Sequence, residues 1–248
     1  MTRPGSPTAF EQLVDDYDAA RPRYPDALYD ALPPLPGRSA LELGAGTGIA
    51  TTGLLARGAE VVCTDLGPRM LGRLHAQLPA VPALVARAEA LPFADGSFDL
   101  VAGAQMWHWV DVPVASREVA RVLRPGGWLA LWWNEADAVG LPWWETQQDR
   151  LEGLNARYSR HFRDRDYHAE LAGLGFGAFE RRSFSWRRAL DWPMYERWLR
   201  SKSYVQELTD VEAFVSAERA SMGAAFPDGL IVEPFTAQLW LARRLALT

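Results

Sequence analysis

Three glycines at alternate positions, Gly44, Gly46 and Gly48, separate an apolar run at 40–43 from a helix-forming stretch at 49–58 that closes on glycine. A turn rich in glycine lets the main chain approach a ligand closely. A strand before it and a helix N-terminus after it make a site for an anionic or polar small molecule. Asp65 ends the next apolar run, 60–64. A carboxylate there either accepts both hydroxyls of a ribose or caps the helix beginning near Pro68, and the neighbouring glycine turn favours the ribose. The dinucleotide fingerprint G-x-G-x-x-G fails, because Ile49 stands where its last glycine belongs. A phosphate loop is excluded by the lack of any G-x-x-x-x-G-K-[ST] sequence.

Other reactive side chains carry less. His161 and His168 flank the charged run 163–166, whose spacing matches no metal template and suits a solvated turn, so no metal is expected. Ser183, Ser185, Ser201 and Ser203 lie in no nucleophile-elbow context. Cys63 sits in an apolar run as a small buried hydrophobe. Seven of the eleven tryptophans fall between 107 and 144, more aromatic surface than a small core needs.

The elements that position these groups alternate strand and helix, the pattern of a mostly parallel sheet covered on both faces. Strands are expected at 40–43, 60–64, 83–86, 98–102, 128–133, 179–186 and 235–245, the last of them antiparallel. The turn 124–127 introduces the fifth. Helices are expected at 8–20, 26–32, 49–58, from Pro68, at 112–123, 143–158, 166–172, and as one amphipathic span over 194–222. No linker divides the chain. A single domain over 1–248 is expected, with a core at about 35–135, 176–190 and 232–246 and a helical lid at about 8–32 and 193–222.

The 248 residues include 48 % hydrophobic ones and carry a net charge of −5 with no basic run, which argues against a nucleic-acid partner. No apolar run approaches a membrane span and the N-terminus lacks a signal-peptide core, so no membrane partner is expected. One cysteine suits a reducing, cytoplasmic location.

Five stretches in order, Glu42 to Gly48, Asp65, Ala88 to Phe93, Ser97 to Val101 and Leu123 to Gly127, resemble those of class I S-adenosylmethionine-dependent methyltransferases. Tyr17-x-x-x-Arg21-Pro22-x-Tyr24-Pro25 and Gln105-Met-Trp-His-Trp109 resemble the trans-aconitate methyltransferase-like, small-molecule group in particular. The resemblance implies an α/β, Rossmann-like, doubly wound, seven-stranded sheet. It implies S-adenosyl-L-methionine as cofactor, with Gly44, Ala45 and Gly46 cradling its methionine part and Asp65 holding the ribose. Leu66 would pack on adenine, with Ala88 and Glu89 along its edge. Where many relatives carry an aspartate before that pair, this chain has Arg87. Gln105 would lie near the methionine end, while Tyr17 and Arg21 would close over the cofactor. Trp107, Trp133, Asn134 and Tyr204 would face the acceptor, a small molecule methylated on a carboxylate or hydroxyl oxygen. His108 would serve as a base or orient a pocket wall, and a carboxylate acceptor needs no base. A monomer or homodimer is expected. The alternatives are a nicotinamide-dependent oxidoreductase, a non-catalytic cofactor-binding protein, and a methyltransferase of RNA or protein.

Overall fold

The computed structural model describes residues 18–161 and 174–245. They divide into two compact units. Of the described residues, a strand-rich unit takes 23–135, 174–184 and 237–245, and a helix-rich unit takes 18–22, 136–161 and 185–236. In chain order the elements are α1 (Asp26–Asp30), β1 (Ser39–Leu43), α2 (Ile49–Ala56), β2 (Glu60–Asp65), α3 (Pro68–Gln77), β3 (Ala83–Val85), β4 (Phe98–Ala104) and α4 (Val112–Val122). There follow β5 (Leu123–Ala136), α5 (Pro142–Leu154), β6 (Glu180–Leu190), α6 (Trp192–Arg200), α7 (Ser203–Gln206), α8 (Val211–Ala225) and β7 (Ile231–Arg243).

The seven strands form one sheet in the order β3-β2-β1-β4-β5-β7-β6, with the last strand in sequence antiparallel. This is the expected doubly wound arrangement. The order reverses next to β1, so the ends of β1, β2 and β4 flank the topological switch point where open α/β sheets bind ligands. In β1, Ala40 to Leu43 are all buried, as a parallel strand covered on both faces requires. The core of the strand-rich unit gathers Leu41, Leu43, Val101, Leu129 and Leu131 from the sheet with Ala115, Val119 and Val122 from α4. The helix-rich unit has its own core, built on Leu151, Tyr195, Leu199, Phe214 and Phe235.

Three expectations need correction. The turn at 124–127 lies inside β5: Phe98 pairs with Leu123 but Leu100 pairs with Trp128, so Arg124 to Gly127 bulge out of the ladder. Pro125, lacking an N–H, is tolerated there. The helical span 194–222 breaks into three, because Ser201 turns its hydroxyl back to the Trp198 carbonyl and Asp210 caps α8 through the Ala213 N–H. The last strand starts four residues early, at Ile231. The helices expected at 8–20 and 166–172 lie outside the described residues, except that 18–20 are helical.

Candidate active site

Gly44, Gly46 and Gly48 all take the left-handed conformation, at φ 61°, 57° and 92°. Spaced this way, the turn leaves β1 and enters α2 without a side chain over its centre. A Cβ on Gly46 would meet no atom within 4 Å, whereas one on Gly44 would lie 2.7 Å from the Met106 Cβ. Asp65 fixes this turn from β2: its Oδ2 accepts from the Gly46 N–H at 2.8 Å and its Oδ1 from the Gly67 N–H at 2.7 Å. The helix cap expected as its alternative role is absent, since α3 begins without a side-chain cap and with Pro68 in its first turn. A carboxylate oxygen can accept more than one hydrogen bond. Leu66, next to Asp65, is 37 % exposed, an apolar face of the kind a planar base covers.

At the end of β4, Gln105 has φ 56° and is the only non-glycine residue with positive φ among those described. Its N–H donates to the Trp132 carbonyl and its Nε2 to the Asn134 carbonyl at 3.1 Å, which leaves Oε1 buried without a described partner. Strained backbone and unsatisfied buried acceptors gather at functional sites, which makes Gln105 a candidate. On neighbouring β1, Glu42 is wholly buried. Its Oε2 accepts from the Thr51 hydroxyl at 2.7 Å and its Oε1 has no described partner. Burial, aided by the nearby Asp65 charge and opposed by the Thr51 hydrogen bond, pushes the Glu42 carboxyl up to about 8. Burial and Glu42 likewise push the Cys63 thiol up, so it stays an inert neutral neighbour.

The Glu42 shift has a stability consequence. The folded state holds a proton that the unfolded chain releases near 4.5, so the stabilisation is complete below that pH and is lost as pH rises through about 8. Glu42→Gln keeps the neutral form. The stability of the wild type relative to this variant should therefore fall by about 1 kcal/mol per pH unit between these limits. Denaturant unfolding of both proteins at pH 5 and pH 8.5 measures this, and a constant difference would contradict it.

His108 follows Trp107 in the short turn Trp107–Trp109. The Trp133 indole N–H donates to its Nδ1 at 3.3 Å. An indole only donates, so Nδ1 is the acceptor and Nε2 of the neutral ring carries the proton. An imidazole held in this way suits the orienting role expected beside that of a base. Glu89 accepts from the Asp111 N–H at 2.8 Å and pairs with Arg87 at 3.6 Å, steadying the loop before α4. Ala45 is held by its N–H to the Thr64 carbonyl, and Ala88 is buried beside Leu91. Asn134 donates to the Arg23 carbonyl, and Tyr24 packs edge-on to Trp132. Trp107, Trp133 and Asn134, expected to face the acceptor, are almost fully buried; the two indoles fill the core and the amide is spent on main chain. Tyr17 lies outside the described residues.

Arg21 and Tyr204 belong to the helix-rich unit. Arg21 donates to the Ser201 carbonyl and lies 5.1 Å over the Trp198 ring. Arg188 lies 4.5 Å over the same ring and is paired with Glu233, whose Oε1 accepts from the Trp198 indole at 2.9 Å. Tyr204 packs against Tyr158 with ring centroids 4.6 Å apart. Among them is a residue the motifs pass over: Lys202, the single lysine among 26 basic residues, is 6 % exposed. Its singularity was the available signal. Glu42, quoted inside a glycine motif, carries no polar partner in sequence that would mark it. Among the described residues no cluster of His, Cys, Asp and Glu could hold a metal ion, and no helix is long and apolar enough to cross a membrane.

Known proteins resemble this chain. A family model described as a methyltransferase domain matches residues 41–131. An uncharacterised methyltransferase of Mycobacterium bovis is 50 % identical over 129 residues, 52 % of this chain and 53 % of its own, so the match spans about half that relative's length. An uncharacterised methyltransferase-like protein of Schizosaccharomyces pombe is 34 % identical over 208 residues, 82 % of this chain and 80 % of its own. A malonyl-[acyl-carrier protein] O-methyltransferase of Halorhodospira halophila is 41 % identical over 130 residues, 48 % and 44 % of the two chains. A solved structure from Anaeromyxobacter dehalogenans, described as a type II methyltransferase, superposes with a TM-score of 0.70 at 26 % identity, over 92 % of this chain and 99 % of that one.

Proposed function

The chain belongs to the class I S-adenosylmethionine-dependent methyltransferases, and on that premise we propose that it methylates a carboxylate oxygen of a small organic acid. The observation that carries the donor half is the Asp65 carboxylate, stationed between the Gly46 and Gly67 amides at the end of β2. The acceptor half is supported by the likeness to a relative that O-methylates a malonyl group, which ends in a carboxylate.

The residues present fit the cofactor. Asp65 would accept from the ribose hydroxyls, Leu66 would pack on the adenine face, and Ala88 with Glu89 would border it. Gly44, Ala45 and Gly46 give the methionine part a main-chain cradle, with open space over Gly46. The unsatisfied Oε1 of Gln105 would receive the amino group of the methionine part. S-Adenosylmethionine, when bound, supplies a methyl group on a sulfonium that is already a leaving group. The protein aligns the acceptor and excludes water. A carboxylate is already ionised at neutral pH, so no base is required, in keeping with a His108 whose Nδ1 accepts from the Trp133 indole. A cytoplasmic location agrees with the free, buried Cys63.

Incubation with methyl-labelled S-adenosylmethionine and a metabolite extract tests the reading. A carboxyl methyl ester releases volatile labelled methanol in alkali. Label in an alkali-stable small molecule, in RNA or in protein would contradict it. For His108→Gln, turnover within about tenfold of wild type is expected, whereas the loss of a base costs about 10²–10⁴-fold. A collapse of that size with cofactor affinity intact would restore His108 as the base.

A further inference from the structure

The chain places arginine at every basic position but one, and that one, Lys202, is more than nine-tenths buried. Its Nζ stands 4.7 Å from the Trp198 ring centroid and 5.9 Å from that of Tyr204. Aromatic faces repay part of an ammonium's lost hydration but offer no hydrogen-bond acceptor. Among the described residues no carboxylate or carbonyl accepts from it. Glu233, the acid of this cluster, uses Oε2 on Arg188 and Oε1 on the Trp198 indole. The side chain as a whole is shielded while its ammonium keeps contact with solvent, so an anion can reach it, and an apolar residue would fill the same volume more cheaply. Lysine, a compact point charge, suits a single oxyanion better than a planar fork does.

We propose that Lys202 binds an oxyanion, a carboxylate or phosphate oxygen, of a small-molecule ligand, with the Trp198 and Tyr204 rings beside it. The binding step moves no covalent bond.

A single lysine makes the test direct. In the full chain labelled with ¹⁵N- and ¹³C-lysine, the side chain of Lys202 gives one set of resonances, titrated separately with succinate and with inorganic phosphate. Sodium chloride at equal ionic strength serves as the control. A saturating shift with succinate alone assigns a carboxylate, with phosphate alone a phosphate, and with both the shared oxyanion chemistry. Shifts no larger than those from chloride overturn the proposal, without need of any variant. Calorimetric affinity for the effective anion should fall at least about tenfold in Lys202→Met and stay within about threefold in Lys202→Arg. Equal affinity in wild type and Lys202→Met would also overturn it. S-Adenosylhomocysteine affinity, measured in parallel, should be unchanged in Lys202→Met. Its failure to bind the wild type would defeat the methyltransferase reading while leaving the anion result to stand or fall alone.

Discussion

Asp65→Ala is expected to weaken S-adenosylhomocysteine binding by about 3 kcal/mol, a loss of about a hundredfold. The change removes two things together. The ribose hydroxyls lose a charged acceptor, and the Gly46 and Gly67 amides lose the carboxylate that holds the glycine turn against β2. Charge-assisted hydrogen bonds are the strong ones, so the effect should exceed that of a neutral contact. Asp65→Asn separates the parts: its one side-chain oxygen can serve only one of the two amides at full strength, and an intermediate loss is expected. Isothermal titration decides, and an unchanged affinity in Asp65→Ala would refute the ribose assignment.

The second large effect divides neighbouring glycines by what they meet. Gly44→Ala should lower stability by about 3 kcal/mol, from a left-handed backbone cost of about 1–2 kcal/mol and an overpacking cost of similar size against Met106. For a chain of this length that is roughly 10 °C in Tm. Gly46→Ala has nothing to collide with, so only the backbone cost applies and a much smaller Tm change is expected. Its added methyl group, however, fills the space over the turn where a ligand must approach, so its cofactor affinity should fall sharply. Melting curves and titrations of both variants check this crossed pattern. If Gly46→Ala binds as well as wild type, the cradle does not lie where the open space is.

What the sequence made legible follows from how local each signal is. The glycine turn could be read because only glycine is at ease at three positive φ values in five residues. The alternating apolar runs revealed the sheet because a buried parallel strand is apolar on both faces. At 124–127 the run Pro-Gly-Gly suits a simple turn and a bulge alike, and only the register of Phe98 and Leu100 against β5 distinguishes them. The helical span beyond 194 kept its periodicity across Ser201 and Asp210, where side-chain hydrogen bonds to main chain end one helix and begin the next. The resemblance assigned Trp107 and Trp133 to an acceptor wall, and the structure buries both, since large apolar rings near a sheet are drawn into the core unless something polar holds them out. The burial of Glu42 and Lys202 was illegible, although the lone lysine was conspicuous, since burial is decided by strands and helices far along the chain. Gln105 was named from its neighbours, but its strain and its unsatisfied oxygen exist only in three dimensions.

A crystal structure of the full chain with S-adenosylhomocysteine is the most direct measurement. The ribose hydroxyls should donate to the Asp65 carboxylate while it keeps the Gly46 and Gly67 amides, with adenine on Leu66 and the amino group on Gln105 Oε1. A ligand bound with its ribose away from Asp65, or a glycine turn that remains empty while the ligand sits elsewhere, would contradict the donor site on which the proposed methyl transfer depends.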